Sequence, residues 1–188
     1  MEGVMKIDGL LADLGVSSHQ FDIAERGFST RLDGQLDMRM NVQSNLSAKD
    51  IINDYLEEDL ANVLYKYGEL RNSRQVANKI VIARRKSRIN TTSELKDIIS
   101  GLFPDKHRNQ FLARVFQSIR IEVNDEIKAL EEMLLSAVEL LNLKGRLVVL
   151  SYHSLEDRLV KNLVKKGNLE GKLEKDFYGN PIKELKEI

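Results

Sequence analysis

The stretch from Asn124 to Lys166, "NDEIKALEEMLLSAVELLNLKGRLVVLSYHSLEDRLVKNLVKK", constrains this chain more than any other. Ile127, Leu130, Leu134, Ala137 and Leu141 recur at helical spacing, Gly145 stands where that helix should stop, and "RLVVLS" is a β-branched apolar run fit for a buried strand. A loop and a second amphipathic helix follow. A strand set between helices belongs to a sheet of parallel type, so a partner strand is required elsewhere. Ile7, Leu10 and Leu11 form another short apolar run, with Gly15, Ser17 and Ser18 supplying the loop after it. The pieces at 5–13 and 146–151 are therefore expected to be parallel strands of one α/β sheet.

What separates the two strands has a different texture. Ser47 with Asp50 is an acidic variant of the capping box, and Thr91 with Glu94 is the standard form, each placed just before an apolar-periodic run. Helices are expected near 48–56, 58–67, 72–86, 92–102 and 107–118. This helical block is long for a simple crossover and reads as an insertion. Ahead of it, "SSHQFDIAERGFSTRLDGQLDMRMN" is polar, contains Gly27 and Gly34, and shows no helical period. Loops of this length in compact domains are usually functional or disordered.

Several function classes drop out on composition. With 188 residues, of which 42% are hydrophobic, there is enough chain for one core and an added subdomain. There is no cysteine, and His19, His107 and His153 are too scattered for a spaced zinc motif, so no metal is expected. No apolar stretch approaches membrane-spanning length, and the first residues lack the pattern of a signal peptide, which makes the cytoplasm the expected compartment. The formal net charge is +0, leaving any polyanion-binding signal to local patterning. No two of the 11 glycines are separated by a single residue, which removes G-x-G cofactor loops. A Ser17, His153, Asp157 hydrolase triad is also rejected: "GVSSH" lacks the second glycine of the nucleophile elbow, and the acid follows the histidine.

Three places carry candidate chemistry. Both strand ends open into polar clusters, "DLGVSSHQ" after the first and "SYHSLEDR" after the second, on the sheet edge where α/β proteins bind ligands. The second cluster holds His153, Ser154, Glu156, Asp157 and Arg158, although Ser154 could simply cap a helix with the two acids in its first turn. Asp13 could equally cap the turn that follows it. The third place is "RNSRQVANKIVIARRKSR", where Arg71, Arg74, Lys79, Arg84, Arg85, Lys86 and Arg88 occur without an acid. That pattern suits phosphate contacts, or a solvated helix with basic residues near its C-terminus.

The blocks "DGLLADLGVSSHQFDIAERGFSTRLDGQLDMRM", "ARVFQSIRIEVNDEI" and "GRLVVLSYHSLEDRLVK" closely resemble the bacterial small-subunit ribosomal RNA (cytosine-N4) methyltransferase family, known as RsmH or MraW. The resemblance implies an S-adenosylmethionine-dependent methyltransferase sheet, Rossmann-like and here partial, interrupted by an all-helical insertion domain. It implies N4-methylation of a cytidine in the decoding region of small-subunit rRNA, with that rRNA or the small ribosomal subunit as partner. Carried over by motif, Asp13 and Gln20 are expected to contact the cofactor. Asp13, Ser17 and His153 are the candidates for handling the target amine, with Asp37 and Asp157 as further polar groups. Arg39 joins the seven basic residues of 71–88 as an expected RNA contact, because a target base must be unstacked while its flanking phosphates are held.

The resemblance also has gaps. Amino-methylating relatives carry a D-P-P-Y-like motif where this chain has Asp13, Leu14, Gly15 and Val16, so binding is the firmer expectation for Asp13 than catalysis. Family members carry a preceding segment with a glycine-rich loop and a closing segment, neither found here. Either a truncated gene product or a reduced relative is expected, and a non-catalytic RNA-binding or ribosome-assembly module stands as the alternative. The expected division is 1–45 as first part of the sheet domain with the active-site loop, 46–118 as the helical, RNA-binding insertion, 119–170 as second part of the sheet domain, and 171–188 as a polar tail.

Overall fold

The structure, a computed structural model, describes residues 6–172 and 176–178, so most of the expected polar tail lies outside the described residues. The chain divides into two compact units, one of Met1–Gly15 with Glu126–Ile188 and one of Val16–Asp125.

In the first unit, β1 (Ile7–Asp13) pairs in parallel with β2 (Leu141–Leu150), in register from Gly9 opposite Arg146 to Asp13 opposite Leu150. Helices α7 (Glu126–Leu140) and α8 (Ser154–Lys166) flank β2 in sequence. Leu130, Leu134 and Leu163 are buried from them, and Leu147, Val149, Leu159 and Val160 pack against that cluster. The period of two in β2 sends Leu147 and Val149 to the helices and leaves Val148 and Leu150 about half exposed, at 50% and 48%.

The expected α7 stop at Gly145 comes earlier. The helix ends at Leu140, and Asn142–Gly145 form an excursion in the ladder between the Ile7 and Gly9 pairings. Lys144 takes a left-handed φ of 71° there, and the Asn142 side chain donates to Asp8 Oδ1 at 2.7 Å. Gly145 is needed for closeness: a β-carbon would stand 2.9 Å from the Asn142 carbonyl oxygen.

The second unit is helical. After α1 (Ser18–Asp22) and a 3-10 turn at Ala24–Arg26 come α2 (Ala48–Asp54), α3 (Glu57–Gly68), α4 (Ser73–Arg84), α5 (Thr92–Ser100) and α6 (Arg108–Asn124). Their core includes Ile51, Leu60, Leu64, Ile80, Leu95, Ile99 and Ile119, all fully buried. Each such side chain contributes about 1.5–3 kcal/mol relative to exposure. Both capping boxes form: Asp50 Oδ2 accepts from Ser47 N–H at 2.8 Å, and Glu94 Oε2 from Thr91 N–H at 3.2 Å.

Two boundaries differ from the expected division. Residues 16–45 belong to the helical unit, because Phe28, Leu36 and Met38 are buried in its core and the backbone is tied to it. Leu36 N–H donates to Asn90 O at 2.9 Å, Lys49 N–H donates to Leu36 O at 2.7 Å, and Gln35 bridges Thr91. Gly27, at φ 71°, and Gly34 allow backbone contacts that a side chain would block: a β-carbon would collide with the carbonyl oxygens of Gln35 and Ala24, respectively. The other boundary lies past residue 118. Helix α6 continues with Ile119, Ile121 and Val123 buried, and Asp125 ends it in the left-handed region at φ 51°.

Candidate functional site

In the sheet unit, Asp13 and Leu150 end the two strands side by side, and the ladder closes with Leu14 N–H donating to Leu150 O at 3.0 Å. Asp13 is exposed, and its Oδ1 accepts from the Tyr152 hydroxyl at 2.8 Å. Hydrogen bonding to the Asp13 carboxylate, with its charge close by, pushes the Tyr152 phenol above its ordinary pKa. Gly15 follows at φ 87°, its missing β-carbon position 3.7 Å from the Tyr152 ring. Tyr152 is the residue that sequence reasoning passed over. Its signal was its place inside the polar cluster after β2, where a tyrosine lies level with the end of the neighbouring strand.

His153 is the N-cap of α8. Its Nδ1 accepts from Glu156 N–H at a long 3.4 Å, and its Nε2 lies 3.3 Å from Glu156 Oε1. Glu156 is buried, and its Oε2 accepts from Tyr152 N–H at 2.9 Å. Glu126, His153 and Glu156 bring one ligand-type atom each within 4.8 Å of one another. Asp157 is paired with Lys161 at 2.7 Å along the exposed face of α8.

The remaining candidates lie in the helical unit. Ser17 is the N-cap of α1, and Gln20 closes a capping box with it, Gln20 Oε1 accepting from Ser17 N–H at 3.0 Å. Asp37 and Arg39 form a bidentate pair at 2.7 and 2.8 Å, while Arg39 Nη1 donates to Ser44 O at 2.8 Å. The Arg39 hydrogen bonds hold the Asp37 carboxyl below its ordinary pKa, against a smaller opposing effect of burial.

The basic stretch is divided by the fold. Arg84 turns inward and donates to Ile52 O at 2.7 Å and Tyr55 O at 2.5 Å, satisfying carbonyls at the end of α2. Arg88 pairs with Asp54 at 2.9 Å. These two, like Arg39, have partners inside the unit, Arg88 and Asp54 remaining about half exposed. Arg71, Arg74, Lys79, Arg85 and Lys86 are exposed, and among the described residues they make no ion pair.

A family model described as the MraW methylase family matches residues 1–180. The chain belongs to the MraW methylase family. Its sequence is 58% identical over 177 residues to the ribosomal RNA small subunit methyltransferase H of Bacteroides thetaiotaomicron, an alignment that covers 94% of this chain and 58% of that protein. Proteins of the same description from Bacteroides fragilis and Flavobacterium johnsoniae are 56% and 53% identical, over 93% and 95% of the chain. The chain spans 58–59% of the length of these relatives. The mixed α/β sheet unit with its parallel pair agrees with a partial Rossmann-like methylase fold. No helix among the described residues is long and apolar enough to cross a membrane.

Proposed function

We propose that this chain carries the acceptor side of an S-adenosylmethionine-dependent methyltransferase acting on N4 of a cytidine in the decoding region of small-subunit rRNA. The observation that carries this reading is Asp13, exposed at the end of β1 beside the end of β2 and held by the Tyr152 hydroxyl. In a parallel sheet this is the edge at which ligands bind.

The chemistry asks for such a group. The N4 lone pair of cytosine is delocalised into the ring, so the amine must be oriented by an acceptor and must finally lose a proton. The Tyr152 hydrogen bond occupies Oδ1 of Asp13 and fixes the carboxylate, while the remaining lone pairs are available to an amine or to a cofactor group. Bound S-adenosylmethionine supplies an electrophilic methyl group. The residues of the sheet unit fit it in part: Asp13 offers an exposed carboxylate and Gly15 keeps the adjoining backbone bare. Ser17 and His153, the further candidates for handling the amine, each cap a helix, α1 and α8 respectively. An rRNA substrate places the activity in the cytoplasm.

Asp13→Ala tests this role in a chain joined to the segments of a relative that this chain does not span. Methyl transfer should fall to background and cofactor affinity should weaken by about tenfold, the loss of one charge-assisted hydrogen bond. Turnover lost at unchanged affinity would move Asp13 from cofactor holding to amine orientation. Neither changing would remove Asp13 from the site.

A further inference from the structure

Between α4 and α5 the helical unit carries a groove of about 820 Å³, within the size range of small-molecule sites. Its floor is aliphatic, from Ile82, Ala83, Ile98 and Leu102. One rim is α4 and the turn after it, which present Arg74, Gln75, Lys79, Arg85 and Lys86, while Asn78 among them donates to Glu57 Oε1 at 3.1 Å. The other rim is α5, with two carboxylates. Glu94 is spent on the backbone N–H groups of Asn90 and Thr91. Asp97 is exposed and, among the described residues, makes no hydrogen bond or ion pair.

We infer that this groove receives one unstacked base of single-stranded RNA, with guanine preferred, while the adjoining phosphates run along α4. The inference rests on the RNA-methylating reading above and names a second contact on the same substrate. Charge complementarity decides the occupant. Four exposed cations beside the single acid Glu57 attract a polyanion, whereas an apolar helix would need a longer stripe than Ile82, the floor's one well-exposed side chain, provides. Asp97 then selects the base. A carboxylate only accepts, and its two oxygens match adjacent N–H donors; the Watson–Crick edge of guanine presents two, at N1 and N2, whereas cytosine, adenine and uracil each pair one donor with an acceptor there. The aliphatic floor offers the base a flat apolar surface to lie on.

The test uses the chain as it stands and fluorescence anisotropy with a short labelled oligouridine and the same strand carrying one central guanosine. The guanosine strand should bind about tenfold tighter. Asp97→Asn should erase that preference, and Lys79→Glu with Lys86→Glu should weaken both strands together. Equal binding of the two strands by the unaltered chain, or a preference that survives Asp97→Asn, overturns the groove while leaving RNA binding by α4 intact. Absence of binding to either strand at low salt overturns the RNA reading itself. Saturable binding of an acidic amphipathic peptide that is lost with Ile82→Glu, while both strands bind that variant unchanged, would assign the groove to a protein and also overturn the proposal.

Discussion

Asp37 and Arg39 show what a side-chain pair in a long polar segment does when the segment is packed instead of loose. Arg39 reaches both carboxylate oxygens of Asp37 and the Ser44 carbonyl, and Asp37 in turn accepts from Arg39 N–H at 3.0 Å. The pair is about three-quarters buried, at 25% and 23% side-chain exposure. Because the folded-state pKa of Asp37 lies below its unfolded value, its contribution to stability is present above the ordinary carboxylate range and is lost as pH falls through the folded value. Asp37→Asn should therefore lower stability at neutral pH and flatten the acid limb of the stability curve, read by urea melts across a pH series. An acid limb identical to that of the unaltered chain would mean that the pair contributes nothing. The same scale explains a limit of sequence reading. Asp13 was visible as an acid ending an apolar run, but its donor, Tyr152, lies 139 positions away and becomes its neighbour only when β1 and β2 pair.

Helices and strands were legible where their signals are local. The capping boxes of α2 and α5 formed as read, since Ser47 with Asp50 and Thr91 with Glu94 need only one turn of chain. The parallel pairing of two distant strands was also legible, from the helix–strand–helix texture around β2. The end of α7 was not: Leu141 continues the helical spacing in sequence, and only the pairing with Ile7 draws it into the strand. Residues 16–45 were read with the sheet because their polarity hides three widely spaced core residues, Phe28, Leu36 and Met38. In α4 the charges were legible but their directions were not, since Arg84 faces inward to α2 while Arg74 and Arg85 face water. Direction yields a prediction for the element. Arg74→Ala with Arg85→Ala should reduce the log–log salt slope of RNA binding by ~0.7 for each phosphate that is no longer neutralised. Arg84→Ala should instead lower stability by ~2 kcal/mol, because two carbonyl groups lose their donor. A slope changed by Arg84→Ala alone, at unaltered stability, would reverse these assignments.

The two units differ in the polar features that they carry. The sheet unit carries the strand-end carboxylate, and the helical unit carries the cationic face and the groove. Helices cover one face of the two-stranded sheet, while Leu11, at 71% exposure, Val148 and Leu150 remain accessible, although parallel sheets normally have both faces covered. With one exposed carboxylate at the strand end and no G-x-G loop in the sequence, the chain by itself should bind S-adenosylmethionine no tighter than about millimolar, as isothermal calorimetry would read it. A few exposed hydrogen bonds do not offset the freedom that the ligand gives up. The activity proposed for the joined chain is the transfer of a methyl group to cytidine N4. Its most direct measurement is nucleoside mass spectrometry of small-subunit rRNA incubated with labelled S-adenosylmethionine and the chain joined to the segments of a relative that it does not span. Labelled N4-methylcytidine should form, and it should disappear with Asp13→Ala. Cofactor and rRNA both bound, with no N4-methylcytidine formed, would contradict the claim and leave an RNA-binding module without catalysis.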